Sequence, residues 1–171
     1  MNQLIIKNIA IFLALAAGDI ILVNRISLGT FIAPYIYLFF ILQLPVRTSR
    51  YALIFLGFFT GLFFDIVYHT GGAHAAATCF LALLRIVILP AFISAEDKDN
   101  NISPGIYTLG QGSFLIYSLI LTACHHMVLF NLEIFKWSAF PLTLLKASVS
   151  SIFSVLLIYL ICLLFYRKKR I

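Results

Sequence analysis

The sequence predicts an all-α polytopic membrane protein, one compact bundle of six transmembrane helices in a single integral membrane domain over residues 1–171. Two observations carry this. Six stretches are long and apolar enough to cross a bilayer, which takes ~20 mostly apolar residues in a helix. Composition agrees, at 63% hydrophobic and 11% charged, where an ordinary soluble domain is about a quarter charged.

The first span covers residues 4–23. Ala14-Leu15-Ala16 looks like a signal-peptide cleavage site. However, no basic region precedes the apolar run, Lys7 lies inside it, and it continues to Val23, so the helix reads as retained. A short turn over 24–27 carries Arg25. The second span covers 28–44 with Pro34 inside it, where a kink satisfied by neighbouring helices is expected. A short basic loop over 45–50 leads to the third span, 51–68. A tight turn through Gly71 and Gly72 leads to the fourth, 73–93, which ends near Pro90. The hydrophilic segment 94–107, with Glu96, Asp97, Lys98, Asp99, Asn100 and Asn101 followed by Pro104-Gly105, reads as a loop. The fifth span covers 113–132. The sixth covers 140–165, with Pro141 tolerated in its first turn.

Charge sets the orientation. With a cytoplasmic N-terminus, the inner side carries Lys7, Arg47, Arg50, Lys98, Arg167, Lys168, Lys169 and Arg170, eight residues. The outer side carries Arg25, Lys136 and Lys146, three residues. Six spans then leave both termini cytoplasmic, and Trp137 beside Lys136 suits an outer interface anchor. The net charge of +6 does not point to nucleic acid, because the C-terminal basic run reads as a topology anchor against an anionic leaflet. Cys79, Cys124 and Cys162 are an odd set inside apolar spans, which argues against disulfides or a zinc motif.

The most specific local pattern is Gly57-Phe58-Phe59-Thr60-Gly61, followed by Asp65, His69, Gly71-Gly72 and His74. Gly57 and Gly61 form a small-residue pair that lets two helix backbones approach closely. Thr60 can add a hydrogen bond, and Ala73, Ala76 and Ala77 extend the small surface. Packing within the chain is the simpler reading, with a contact to another protein on a different face left open. Asp65 and Asp19 lie near outer helix ends, where a carboxylate must meet headgroups, be paired, or be protonated. Arg85 sits deeper, on the order of 10 Å from Asp65 along the membrane normal. It either reaches outward to Asp65 or snorkels to the inner headgroups.

His69, His74, His125 and His126 all map to the outer half. With Asp19 and Asp65 they form a candidate outer polar cluster, whose chemistry suits zinc, nickel or a proton. The spacing is not diagnostic, and local hydrogen bonding is the simpler account. His125 and His126 point about 100° apart on a helix, so one is expected to face away. No metal or cofactor is expected, and no catalytic constellation is present: there is no P-loop, no zinc-protease motif and no Ser-His-Asp order.

The segment Gly57-Phe-Phe-Thr-Gly61-Leu62-Phe63-Phe64-Asp65, then Gly71-Gly72-Ala73-His74-Ala75-Ala76, resembles the MreD family of rod shape-determining proteins. The continuation Phe80-Leu-Ala-Leu-Leu-Arg85 fits Bacteroidetes-like members. The resemblance is sharpest over about residues 51–93; elsewhere it rests on length and hydropathy. It implies a non-enzymatic subunit of the bacterial inner-membrane cell-elongation machinery, supporting cell shape and peptidoglycan synthesis. It implies partners in MreC, whose single transmembrane helix the family binds, and in MreB, RodZ, RodA and a class B penicillin-binding protein. It also implies a bundle similar to the substrate-binding subunits of energy-coupling-factor vitamin transporters, with Gly57, Gly61, Asp65, Gly71 and Gly72 as structural or partner-contact positions.

Two functions therefore compete. A scaffold would clamp a partner's transmembrane helix. A vitamin- or metal-transport subunit would need an outer pocket lined by Asp19, Asp65, His74 or His125. An intramembrane enzyme is the weakest reading, because no pair of polar groups sits at matched depth.

Overall fold

The computed structural model describes residues 2–25 and 32–165. Over these residues seven α-helices form and no strand does. They are α1 (Asn2–Arg25), α2 (Leu38–Leu42), α3 (Arg50–Tyr68), α4 (Ala73–Ile88), α5 (Ala95–Asp99), α6 (Gln111–Ile134) and α7 (Phe140–Phe165). The basic run at residues 167–170 and the start of the predicted second span lie outside the described residues, as do the side chains of Lys7, Arg25 and Trp137.

Among the described residues four stretches are long and apolar enough to cross a bilayer, the mark of an integral membrane protein: Arg50–Tyr68, Ala73–Ala91, Gln111–Ile134 and Phe140–Phe165. α1 contributes a shorter apolar stretch, Asn8–Ile21. α4 packs against both α3 and α6, and α7 packs against α6. Polarity runs inside out relative to a soluble bundle. Leu142, Leu145, Ile152, Leu156 and Leu160 of α7 face outward, as do Phe55, Phe59 and Ile66 of α3. Thr143, Ser150, Ser151 and Ser154 of α7 are buried. Lipid is as apolar as leucine, so polar groups gain by turning inward to find hydrogen-bond partners.

The predicted second span is the main departure. A helix over 28–44 is not what forms: residues 32–37 are not helical, and only the five residues of α2 follow them. Pro34 supplies no N–H and biases Ala33 away from helical backbone. Every residue from 34 to 44 is nonetheless buried. Irregular backbone at membrane depth persists only where protein satisfies its polar groups, and this segment touches all five long helices. Phe40 packs on Phe12 of α1, with ring centroids 5.3 Å apart, and Tyr37 stacks on Phe64 of α3 at 3.9 Å. Tyr37 also meets His74 of α4 and His125 of α6, while the Tyr35 N–H donates to Ser154 of α7. Ile36 lies beside Asp19 and Phe40 beside Phe12, so the segment runs antiparallel to α1.

Two smaller differences also have local causes. α4 stops at Ile88 and gives way to a 3-10 turn over Leu89–Ala91, because Pro90 cannot continue the hydrogen-bond ladder. The hydrophilic loop contains α5, started by a capping box. The Ser94 hydroxyl accepts from the Asp97 N–H, and the Asp97 carboxylate accepts from the Ser94 N–H. The Ser94 N–H, and after it the Ser94 hydroxyl, which donates to the same carboxylate at 2.8 Å, hold the exposed Asp97 carboxyl below its usual value.

Candidate functional site

Three groups of buried polar residues stand out. The first surrounds the irregular segment. Asp19 Oδ1 accepts from the N–H of Ile36 at 2.6 Å and of Tyr37 at 3.3 Å, and its Oδ2 accepts from the Tyr68 hydroxyl at 3.0 Å. Ser150 Oγ accepts from the Ala33 N–H at 3.1 Å, and Ser154 Oγ accepts from the Tyr35 N–H at 2.9 Å. Four backbone donors that a continuous helix would bond internally are thus met by side chains of α1 and α7. At the other end, the Tyr117 hydroxyl donates to the Leu42 carbonyl at 3.1 Å. Arg85 Nη2 donates to the Leu44 carbonyl and its Nε donates to the Tyr117 hydroxyl, the latter at 3.1 Å. Arg85 is 2% exposed. It does not pair with Asp65; its guanidinium is held instead by the Leu44 carbonyl and the Tyr117 hydroxyl.

The second group is the glycine motif. Gly57 and Gly61 face α4 within the chain. A Cβ on Gly57 would stand 2.9 Å from the Ala82 Cβ; one on Gly61 would stand 2.5 Å from the Ala75 Cα and overlap the His74 carbonyl. Asp65 explains the rest of the pattern. Its Oδ1 accepts from the Thr70 hydroxyl at 2.6 Å and the His74 N–H at 3.0 Å, and its Oδ2 accepts from the Ala75 N–H at 2.8 Å. His74 and Ala75 are the second and third residues of α4, whose N-cap, Gly72, has no side chain to offer. Asp65 therefore caps α4 from the neighbouring helix, a carboxylate at the positive end of the helix dipole. Gly71 and Gly72 supply the left-handed turn between the helices, at φ 61° and 101°. Thr60 is buried but makes no side-chain hydrogen bond among the described residues. Ala76 faces outward, so it does not extend the seam.

The third group is a relay of rings. The Tyr37 hydroxyl lies 2.8 Å from His74 Nδ1 and 3.2 Å from His125 Nε2, and Thr78 Oγ1 lies 3.3 Å from the same His125 nitrogen. His126 Nδ1 lies 2.8 Å from the Thr122 carbonyl, and its Nε2 lies 3.3 Å from the Ala33 carbonyl and 3.4 Å from Ser154 Oγ. His125 and His126 are both fully buried. The expectation that one faces away fails because residues 33–37 lie across α6 and cover both directions. His69 is exposed and in left-handed backbone at the end of α3, apart from the others. His74 Nε2 and His125 Nδ1 have no partner among the described residues. No three His, Cys, Asp or Glu side chains among the described residues converge as metal ligands.

Tyr37, Tyr68, Tyr117, Ser150 and Ser154 were not singled out in the sequence. A signal existed for the serines: Thr143, Ala147, Ser150, Ser151 and Ser154 make one small, polar stripe on an otherwise apolar α7. Outside these groups, a groove of about 440 Å³ opens between α1, α2 and α3, lined by Ile9, Phe12, Phe40, Leu56, Phe59 and Phe63, with Asn8 and Thr60 as its polar members. Compared with known proteins, the chain matches no family model, no curated protein and no solved structure.

Proposed function

We propose that this chain is a non-enzymatic scaffold subunit of the bacterial cell-elongation complex, set in the inner membrane with both termini cytoplasmic. In this reading the bundle crosses the membrane six times, and residues 32–44 make the second crossing. The partner is the single transmembrane helix of MreC, as the resemblance of residues 57–65 to the MreD family implies. The observation that supports it most is the groove between α1 and α3. It is apolar, aromatic and open at the side of the bundle, with two small polar groups. Such a groove accepts side chains from a crossing helix, in the manner of knobs entering holes. The Gly57–Gly61 seam does not serve as the clamp, because α4 already occupies it.

The transport reading asks for an outer pocket lined by Asp19, Asp65, His74 or His125. All four are buried and bonded to the chain's own backbone or hydroxyls, which favours the scaffold. A photo-crosslinking residue at Phe59, with Leu156 on the far face of α7 as control, tests the choice in native membranes. Capture of MreC at position 59 and not at 156 is expected. Capture of a transporter's coupling subunit, or equal capture at both positions, would overturn the reading.

A further inference from the structure

A second groove, of about 460 Å³, lies at the end of the bundle where the 45–50 loop, α4 and α5 meet. Its lining includes four cations, Arg47, Arg50, Arg85 and Lys98, against one carboxylate, Asp99. Leu53, Ile86, Leu89 and Ile93 form an apolar wall alongside. The walls are held in place. The Val46 N–H donates to the Ile102 carbonyl at 2.9 Å, the Arg47 N–H to Asn101 Oδ1 at 2.8 Å, and Arg47 Nε to the Lys98 carbonyl at 3.0 Å. The Arg47–Asp99 pair is 3.4 Å long with both side chains more than half exposed, so it neutralises little.

Arg85 supplies the independent sign of a ligand. It is buried, it lines the groove, and no carboxylate among the described residues pairs with it. Its acceptors, the Tyr117 hydroxyl and the Leu44 carbonyl, are neutral. A buried guanidinium without a counter-ion is costly. We infer that this groove binds a phosphate-bearing anion at the membrane surface, the phosphate facing Arg50, Lys98 and Arg85 while Leu53, Ile86 and Ile93 accept the apolar part of an anionic phospholipid. Basic pockets between transmembrane helices suit such headgroups, and guanidinium suits phosphate.

The test titrates short-chain phosphatidylglycerol into the full chain in a neutral detergent, reading the thermal unfolding midpoint. Parallel titrations use short-chain phosphatidylcholine and inorganic phosphate. Phosphatidylglycerol is expected to raise the midpoint saturably, and phosphatidylcholine is not. Arg50→Ala and Lys98→Ala are surface changes that should leave the unliganded midpoint in place and weaken binding roughly fivefold each, from ~1 kcal/mol per cation. Arg85→Gln is expected to abolish the response; should it fail to fold, the Arg50→Ala and Lys98→Ala pair decides. An equal, variant-sensitive rise with inorganic phosphate supports the anion site and assigns it to a soluble phosphate. No rise with either anion, or a rise unchanged in the Arg50→Ala, Lys98→Ala double variant, overturns the inference.

Discussion

Asp19 and Arg85 hold opposite ends of one buried stretch of backbone. Asp19 receives the N–H groups of Ile36 and Tyr37 just before α2, and Arg85 donates to the Leu44 carbonyl just after it. An acid meets the amide end of a short helix and a base meets the carbonyl end, the order its dipole favours. Two side chains that lie far apart in the chain thus act on the same five-residue helix.

Removing Asp19 should be costly in a graded way. Asp19→Asn keeps an oxygen acceptor for Ile36 and Tyr37, whereas Asp19→Ala orphans both N–H groups in the interior. Each orphaned buried donor costs ~1–3 kcal/mol. Unfolding of the full chain in mixed micelles should therefore rank wild type above Asp19→Asn and both well above Asp19→Ala. Equal stability of Asp19→Ala and wild type would disprove the capping role.

Ser154→Ala should cost ~1 kcal/mol through the lost acceptor for the Tyr35 N–H. Because Asp19 and Ser154 restrain the same segment, their effects should not add. A double-mutant cycle with Asp19→Asn should return a coupling of ~0.5 kcal/mol or more. A coupling near zero would mean that the two side chains hold independent pieces of structure.

The spans that form continuous helices were legible in the sequence, because length and hydropathy alone decide them. The third span was expected over 51–68 and forms over Arg50–Tyr68; the sixth was expected over 140–165 and forms over Phe140–Phe165. The second was not legible. Pro34 announced a weakness, but whether the chain kinks or breaks depends on remote acceptors, and Ser154 lies 119 residues from Tyr35. The candidate site was half legible. Gly57, Gly61 and Asp65 stood out by spacing, yet Asp65's role depended on where α4 begins relative to α3. Arg85 stood out by depth, but its partners are a tyrosine and a backbone carbonyl, and no sequence pattern marks a carbonyl as unpaired.

Gly61→Ala should cost about 1–3 kcal/mol, as overpacking does. Its Cβ would enter the backbone of His74 and Ala75, which cannot move without shifting the start of α4. Gly71→Ala differs in mechanism: its Cβ would meet open space, but φ is 61°, so only the left-handed penalty applies, ~1–2 kcal/mol. Hydrogen exchange at the first turn of α4 separates the two, with faster exchange expected in Gly61→Ala. Unchanged exchange there would place the clash elsewhere.

α5 should loosen in acid. Its capping carboxyl, Asp97, is held below the usual 3.8 by the Ser94 N–H and hydroxyl. A depressed carboxyl stabilises the folded form above the unfolded value, and that stabilisation fades as pH falls through the folded value, below 3.8. The amide signal of Ser94, whose N–H the Asp97 carboxylate holds, should shift at pH below about 4, and Asp97→Asn should remove that shift. A transition that survived in Asp97→Asn would belong to another group.

Two neighbouring hydroxyls of α6 provide the sharpest contrast. Tyr117 and Ser118 are both fully buried, and counting buried hydrogen bonds would rate them alike. Ser118 donates to the Phe114 carbonyl at 2.7 Å in its own helix, where the carbonyl is already served by the helical ladder. Tyr117 donates to the Leu42 carbonyl and accepts from Arg85 Nε, so it joins the broken segment to the buried cation. Tyr117→Phe removes both bonds and leaves the guanidinium short of an acceptor, a loss of about 1.5–3 kcal/mol for a charged hydrogen bond. Ser118→Ala removes only hydrogen bonds to carbonyls of its own helix and should cost about 1 kcal/mol or less. Thermal unfolding of both variants in one detergent decides the matter, and comparable losses would mean that the Tyr117 bridge contributes no more than an ordinary buried hydroxyl.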